Sequence, residues 1–460
     1  LSRAISMLRT LLGDDAHSPK FIKTIPGTGY RLIADVVINQ GRKQNVQPAK
    51  DVQNNSIAVL PFIDLSADQG NAYFSDGISE EILNVLSQVQ RFKVVGRTSS
   101  FAFKDTNKDI REIGNALGVT HVLEGSVRRA GSRVRITAQL IKTDDGYHLW
   151  SQSFDRELND VFAIQDEIAL AVTKALKVTL LGVRSGQEII GGTNNTMAFQ
   201  HYLRGVHYRY RGALKDTVWR AAEAFQKAIE LDPEYARAYV NLAYVCNDLV
   251  WNGYVTQEEG LMRVHKAATK AIELSPDLAI AHIALSLPLQ IDFRDRLKVE
   301  RLVNKALALN PGNVNVQIEY ARINCNKAQH ETSIAAARKA LILDPLSVYA
   351  NHFLGHVLFF ARHFEQAISA FRQALELDPN YPKPHFFVAL SYYHQGEYTA
   401  ALEEALLEPL DWMRWTASAI ILYRLGRVSE AEDNFASLAE IGIEENNFVQ
   451  QAGIQAQMGN

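Results

Sequence analysis

Residues 370–379 read AFRQALELDP, and four similar blocks precede them in the chain. These blocks are AFQKAIELDP at 224–233, AATKAIELSP at 267–276, LVNKALALNP at 302–311 and AARKALILDP at 336–345. Successive final prolines are separated by 43, 35, 34 and 34 residues. A block that recurs at a near-constant period is typical of a solenoid, in which each unit packs only against its neighbours.

The residue types within one period predict a pair of helices. Gly355 and Ala367 are small enough to let two helices approach closely, whereas Leu354 and Phe371 fill the space between neighbouring pairs. The final proline ends the second helix, because it lacks an amide hydrogen and clashes with the preceding turn. This helix–turn–helix unit of 34 residues resembles the tetratricopeptide repeat. The resemblance implies six or seven repeats in residues 197–460 and a protein or peptide partner.

Polar and aromatic residues on the first helices of these repeats are candidates for the groove that binds this partner. They are Tyr239, Asn241, Tyr244, His352, His356 and Tyr392. Ordinary packing between repeats is the alternative role for each tyrosine and for Asn241. The spacing of His352 and His356, four residues apart on a helix, would also suit zinc. Without an HExxH motif a groove or surface position is favoured, and we expect no bound metal.

Residues 56–182 alternate between strand and helix patterns. The apolar run at 56–62 predicts a buried strand, and the strict alternation at 133–141 predicts a half-buried one. RRAGSR at 128–133 is the predicted hairpin turn, and a closing helix is predicted over 161–180. The order βαβαβββα predicts an α/β domain with a mixed sheet. The segment resembles the domain named for the N-terminal part of TolB, a resemblance that implies no particular chemistry.

The first 38 residues combine a helical stripe with two strands. Apolar residues at positions 1, 5, 8, 11 and 12 form the stripe, and IKTIPGTGYRL at 22–32 predicts two strands joined by a turn at 26–29. A helix followed by this hairpin resembles the C-terminal half of a winged helix of the OmpR/PhoB type, as found in CadC-like regulators. The strand platform and the first two helices of such a domain are absent from the chain.

This resemblance implies double-stranded DNA as a partner of the intact parent protein. In such domains the recognition helix enters the major groove and the hairpin tip reaches the adjacent minor groove. Pro26 stands where relatives often have an arginine, so base preference should differ. The candidate DNA-contacting residues are Ser2, Arg3, Ser6, Arg9, Lys23, Thr24, Thr28, Tyr30 and Arg31.

Charge and composition narrow the classes of function. The chain carries a net charge of −3, but residues 1–50 hold eight Lys/Arg against three Asp. Such a basic end suggests contact with a polyanion, and a solvated tail is the alternative. No apolar run approaches the roughly 18 residues that span a bilayer, so we expect a cytoplasmic protein without a membrane partner. We find no motif for a catalytic triad or a carboxylate pair, and we expect neither enzymatic activity nor a cofactor.

The sequence therefore predicts a multidomain α+β protein. It would comprise a partial winged helix at 1–38, a linker at 39–55, an α/β domain at 56–182, a linker at 183–196 and an all-α tetratricopeptide solenoid at 197–460. The predicted function is that of a DNA-binding transcriptional regulator whose repeats bind a protein. A scaffold that does not bind DNA, related to cyclase-linked tetratricopeptide proteins, is the alternative. The target DNA, the signal and the oligomeric state stay open.

Overall fold

The computed structural model falls into two compact units, residues 1–51 and 52–460. It describes residues 19–20, 22–25, 29–32, 56–66, 72–87, 93–157, 161, 164, 167–168, 171, 190–211, 214–291 and 295–440. Within the first unit, strand β1 (Ile22–Ile25) pairs antiparallel with strand β2 (Gly29–Leu32). The two strands lie where the sequence predicts them. The predicted helix before them and the centre of their turn lie outside the described residues.

The second unit begins with a mixed β-sheet. Its strands are β3 (Ser56–Val59), β4 (Ile63–Asp64), β5 (Lys93–Val94), β6 (His121–Ala130), β7 (Arg133–Lys142) and β8 (His148–Glu157). The order is β5-β3-β6-β7-β8, with β4 also pairing with β6. Strands β5, β3 and β6 run parallel, whereas β6, β7 and β8 form an antiparallel meander. The predicted mixed sheet is confirmed.

The hairpin between β6 and β7 is tighter than the sequence indicates. The predicted turn at 128–133 is wrong in extent, because β6 continues to Ala130 and β7 begins at Arg133. Only two residues connect them, and the first, Gly131, has a φ of +60°, a conformation that glycine adopts without strain. The arginines of this stretch therefore belong to paired strands rather than to a loop.

Helices cover the two faces of the sheet unequally. Helix α1 (Ala72–Ser87) contributes Ile78 and Ile82 to the core that contains the inward residues of β7. Val161, Ile164 and Ile168, from the region of the predicted closing helix, are fully buried in the same core. Helices α2 (Arg97–Phe101) and α3 (Ile110–Leu117) pack on the other face, over β3 and the start of β6.

Fourteen helices between residues 196 and 440 form seven consecutive antiparallel pairs. They are α4 (Thr196–Arg209) with α5 (Lys215–Leu231), α6 (Ala236–Trp251) with α7 (Gln257–Leu274), α8 (Ala279–Ile291) with α9 (Arg296–Leu309), α10 (Val314–Asn326) with α11 (His330–Leu343), α12 (Val348–Phe360) with α13 (Phe364–Leu377), α14 (Pro384–Gln395) with α15 (Tyr398–Ala405), and α16 (Asp411–Arg424) with α17 (Val428–Glu440). This array is the tetratricopeptide fold that the repeated blocks predict.

Glycine sets the distance between the two helices of a pair. A Cβ atom built on Gly355 would lie 2.7 Å from the ring of Phe371, and one built on Gly205 would lie 2.6 Å from the ring of Phe225. These equivalent contacts occur in the pair α12–α13 and in the pair α4–α5. Both phenylalanines are fully buried. The small residue on the first helix and the aromatic residue on the second therefore form one packing unit, as the sequence predicts.

The α/β domain and the first repeats share one hydrophobic core. Phe74 and Ile78 of α1 belong to the same buried cluster as Phe199 and Tyr202 of α4. A Cβ atom on Gly77 would lie 2.4 Å from the side chain of Leu203, so the two helices touch closely. The glycine-rich stretch at 183–196 favoured two independent bodies, but the structure places both in the single unit 52–460.

Candidate functional site

The first helices of the repeat pairs form a surface on which the α/β domain rests. We call this surface, made by α4, α6, α8, α10, α12 and α14, the inner surface. Besides the shared core, several polar contacts join the repeats to α1 and to the segment Gly96–Phe101; His207 Nδ1 of α4, for example, lies 3.7 Å from Asp76 Oδ2 of α1. Three sets place charged side chains in buried or stacked positions at this junction. Each set combines residues that lie far apart in sequence.

The first set is a buried ion pair between α1 and α6. An Arg237 Nη1–H donates to a carboxylate oxygen of Glu81. The two side chains are 7% and 2% exposed, respectively. Burial raises the pKa of Glu81, and the charge of Arg237 opposes that shift. Such a pair holds its two helices in one arrangement, because either charge without the other would be buried uncompensated.

The second set seats the start of α2 on the loop between α11 and α12. The backbone N–H of Ser99 donates to Asp344 Oδ1 at 2.8 Å, and the Ser99 hydroxyl donates to the same oxygen. The Leu346 N–H in turn donates to Ser99 Oγ at 2.8 Å. A Cβ atom on Gly96 would lie 2.6 Å from the Asp344 carboxyl carbon, so this approach requires glycine. Burial raises the pKa of Asp344, and hydrogen bonds from Ser99 oppose the rise.

The third set is a stacked arginine. The Arg97 guanidinium carbon lies 4.0 Å from the centroid of the Phe101 ring and 3.7 Å from that of the Tyr210 ring. Its Nε donates to Glu80 Oε2 at 2.7 Å. Tyr210 directly follows α4, so this stack extends the contact between the α/β domain and the first repeat. The arginine is held by both an ion pair and two aromatic faces.

The candidate residues on α6 lie on two different sides of the array. Asn241 is buried on the inner surface, where its Oδ1 accepts from Arg209 Nη1 at 3.1 Å. Tyr244 is half-buried beside it, with the Arg209 guanidinium 4.7 Å from its ring centroid. Tyr239 is half-buried on the opposite side, in an outer cleft of about 1080 Å³ between α5 and α7. The structure therefore brings together Asn241 and Tyr244 and separates Tyr239 from them.

His352 and His356 lie in an aromatic cluster between α12, α13 and α14. The ring centroid of His352 is 5.5 Å from that of Phe371, and the centroid of His356 is 5.3 Å from that of Phe387. Burial lowers the pKa of His352 to about 3 and that of His356 to about 4, so both are neutral at pH 7. Across the described residues, no group of three or more His, Cys, Asp or Glu is placed to hold a metal ion.

Tyr392, the last of the candidate groove residues along the chain, forms a hydrogen bond within the array. It is half-buried on α14, and its hydroxyl accepts from Arg372 Nη2 of α13 at 2.8 Å. This bond joins adjacent helices of the array. The six candidate groove residues consequently fall into three places: the inner surface, the outer cleft and the contacts between α12, α13 and α14.

Sequence reasoning missed an aromatic and basic patch on the inner surface. We define this patch as Trp251, Arg322, Tyr349 and Lys383. Trp251 and Tyr349 are 69% and 39% exposed. Arg322 Nη2 donates to the Tyr349 hydroxyl at 2.6 Å, and Lys383 Nζ lies 5.4 Å from the centroid of the Trp251 ring. Burial, followed by the nearby charge of Arg322, lowers the pKa of Lys383.

No short motif marks this patch, because its members come from the second, fourth, fifth and sixth helix pairs. The Lys383–Trp251 contact joins residues 132 positions apart, across several repeats. Each cation has a carboxylate nearby: Glu319 pairs with Arg322 at 3.2 Å, and the buried carboxylate of Glu408 accepts from the backbone N–H of Lys383 at 3.1 Å. The only local signal is that Lys383 has a φ of +88°, which is uncommon for a residue with a side chain.

The DNA-contact candidates are described in part. Lys23 and Thr24 are exposed on β1, and the strand register places Arg31 opposite Lys23 and Tyr30 opposite Thr24. The other five candidates fall outside the described residues, namely Ser2, Arg3, Ser6, Arg9 and Thr28. Among the described helices, none is long and apolar enough to cross a membrane. Both cysteines are free thiols.

Two family models match parts of the chain. Residues 53–171 match the HilA/YgeH-like transcriptional regulator, second domain, and residues 354–412 match the tetratricopeptide repeat. The chain therefore combines a domain like that of a transcriptional regulator with a module of the kind that binds proteins. The predicted resemblances to the winged helix and to the TolB domain stay predictions.

One curated relative is similar over part of the chain. It is the Rhizobium meliloti (strain 1021) protein named "Putative adenylate cyclase 3", which is 39% identical over 204 residues. These residues make up 43% of this chain and 34% of the relative. The chain thus spans about a third of the length of the curated relative that it matches.

Solved structures resemble the helical array. PilF of Pseudomonas aeruginosa aligns with 48% of this chain and 97% of its own, at 20% identity and a TM-score of 0.36. A thermophilic tetratricopeptide protein of Thermus thermophilus aligns with 40% of this chain and 100% of its own, at 18% identity and a TM-score of 0.36. These likenesses concern the repeat fold alone.

Proposed function

We propose that this chain belongs to a cytoplasmic, DNA-binding transcriptional regulator whose repeats support the α/β domain and bind a protein partner. The observation that carries the proposal is the match of residues 53–171 to a regulator domain, which follows the basic hairpin β1–β2 along the chain. We also expect the protein to have no enzymatic activity and no cofactor, because the sequence contains no catalytic motif.

DNA binding is supported by the chemistry of the hairpin. Lys23 is exposed on β1, and the strand register places Arg31 directly opposite it, so the ribbon has two basic residues at one register position. Cations so placed suit contacts to phosphates, which give affinity without sequence preference. Arg3 and Arg9 on the predicted recognition helix are the candidates for reading bases, because arginine can bind guanine through two hydrogen bonds.

The test uses the full-length parent and DNA fragments selected by it from a random pool. Fluorescence anisotropy should show that Arg9→Ala weakens binding by about 1–3 kcal/mol and relaxes preference at one base pair. Lys23→Ala should weaken binding to all sequences and reduce the salt dependence. Lys339→Ala, an exposed cation on α11, is the matched control and should bind as the wild type does. Wild-type affinity in both hairpin and helix variants would contradict the proposal.

The aromatic and basic patch is the proposed site for the protein partner. Its two exposed aromatic rings offer apolar contact, while Lys383 and Arg322 favour a negatively charged segment. An acidic peptide with an aromatic or aliphatic anchor fits this chemistry. Screening a peptide library of that composition should yield ligands whose affinity falls with Trp251→Ala and with Lys383→Ala. Met262→Ala, which removes an exposed apolar side chain from α7, should have no effect.

A scaffold without DNA binding is the second candidate. It is favoured by the 204 residues shared with the cyclase-named relative, since a similar segment there stands within a longer protein. The two candidates differ in one result. A folded full-length parent that selects no DNA, but whose repeats still bind acidic peptides through the patch, would favour the scaffold.

A further inference from the structure

The last strand of the sheet presents an open edge. Strand β8 contains ten residues and pairs with β7 along one side only. In the part of the chain that the structure describes, no strand pairs with the other side of β8. An edge strand of this length offers a row of unpaired N–H and C=O groups to another strand.

The centre of this edge lacks the usual protection. Ser151, Gln152 and Ser153 are all exposed, although successive residues of a strand point to opposite faces. Neither face of the sheet is therefore covered at this point. The five residues from Leu149 to Ser153 include no charge and no proline, the two features that commonly prevent pairing at an edge. The register leaves Leu149 of β8 without a partner, because Leu140 pairs with Trp150 and Ile141 with His148. This bulge marks one end of the stretch, and the pairing is regular from Trp150 to Glu157.

We propose that β8 pairs antiparallel with β8 of a second copy of this chain, around a two-fold axis at Gln152. A two-fold axis makes the interface self-complementary, because each residue that contacts a partner is contacted in return. Directly opposed residues lie on the same face of an antiparallel sheet. Centring the pair on Gln152 satisfies this requirement and joins the two sheets into one.

The sequence of β8 complements itself in this register. Trp150 of one copy stands opposite Phe154 of the other, twice over, and aromatic cross-strand pairs stabilise antiparallel sheets. Ser151 stands opposite Ser153. Asp155 falls beside the bulged end of the partner strand at Leu149, so no two carboxylates meet across the axis. A second copy of the chain therefore offers a complementary strand, β8 itself. A strand from a different protein would pair equally well only if its sequence matched that of β8.

Charge at the two-fold axis provides the first test. Sedimentation velocity of the full chain should show a reversible dimer that grows with concentration. Gln152→Lys should make the protein monomeric, because two ammonium groups would face each other across the axis. Gln152→Thr, which keeps a residue favoured in strands, should leave the dimer intact. At concentrations low enough for both variants to be monomeric, their circular dichroism and thermal unfolding should match, which separates a lost interface from a lost fold.

A disulfide at the axis provides the second test. Opposed residues of an antiparallel pair have Cα atoms roughly 4.5 or 5.5 Å apart, within the range that a disulfide bridges. In a background with Cys246→Ala and Cys325→Ala, Gln152→Cys should form a covalent dimer rapidly on mild oxidation. Ser132→Cys, exposed in the β6–β7 turn, should not. A wild type that stays monomeric at all concentrations, or a dimer that Gln152→Lys leaves unchanged, would overturn the proposal.

Discussion

Replacing Arg237 with alanine should release the α/β domain from the repeats. The substitution leaves the carboxylate of Glu81 buried without a counter-charge. Because the two side chains are only 7% and 2% exposed, water cannot screen the loss. Removing one partner of a buried ion pair costs about 3–5 kcal/mol. That is a large fraction of the roughly 5–15 kcal/mol by which most domains are stable.

Urea unfolding of the full chain would measure this cost, and hydrogen exchange read by segment would locate it. We expect α1 and α6 to lose protection together, since the ion pair joins them. The double variant Arg237→Met with Glu81→Leu should be nearly as stable as the wild type, because it replaces both charged side chains and leaves no buried charge. A cost below about 1 kcal/mol, as for an exposed ion pair, would refute the reasoning. A loss of hydrogen-exchange protection that is confined to the repeats would also refute it.

Three further predictions concern the packing and the pH dependence of the array. Gly355→Ala should lower the free energy of unfolding by about 1–3 kcal/mol through overpacking, because the new Cβ atom would stand 2.7 Å from the Phe371 ring. Phe371→Ala should lower it by about 3–5 kcal/mol by leaving a cavity. Urea unfolding would measure both. The pKa of His352 falls from 6.5 to about 3 on folding, so the unfolded chain takes up the proton first and stability should fall as the pH drops from 6.5 towards 3. At pH 5 His352 should account for about 2 kcal/mol of the loss. The drop in stability between pH 7 and pH 5 should therefore be smaller by that amount in His352→Phe, which keeps the contribution of His356, as urea unfolding would show. Asp344→Ala should weaken the seat of α2 and increase hydrogen exchange at Ser99, because the carboxylate accepts two hydrogen bonds from that residue.

The repeats could be predicted from the sequence because their packing is local. Gly355 and Phe371 lie sixteen positions apart within one helix pair, and the same combination recurs at Gly205 and Phe225. The parallel and antiparallel parts of the sheet followed likewise from the order of strands and helices. In the repeats and in the antiparallel strands β6, β7 and β8, the signal and the contact lie within the same short stretch of chain.

The contacts of the inner surface have no such local signal. Glu81 meets Arg237 across 156 positions, and Ser99 meets Asp344 across 245. A glutamate on a helix, such as Glu81 on α1, is ordinarily exposed to solvent. The only sequence feature that suggests burial of Glu81 is its apolar neighbour Ile82. Tyr239 and Asn241 show the same limit, because two residues two positions apart on a helix face nearly opposite sides. Helical periodicity separates them, but it does not indicate which side carries the α/β domain.

The extent of the turn between β6 and β7 is another feature that the sequence does not reveal. Arg133 and Arg135 belong to β7, and both bond to Asp155 of the neighbouring strand at 2.8 and 2.5 Å. Their positive charges are thus paired within the sheet. The partner carboxylate lies 20 or more positions away, so the sequence near the turn does not reveal it.

The seating of the α/β domain on the repeats is tested most directly by a disulfide between positions 99 and 344. The Ser99 hydroxyl donates to the Asp344 carboxylate in the structure, so cysteines at these positions would be adjacent. In a background with Cys246→Ala and Cys325→Ala, Ser99→Cys with Asp344→Cys should cross-link readily. Cleavage between residues 157 and 190 should then leave the two fragments covalently joined on a non-reducing gel. Fragments that separate, as expected for the control pair Ser132→Cys with Asp344→Cys, would contradict the account.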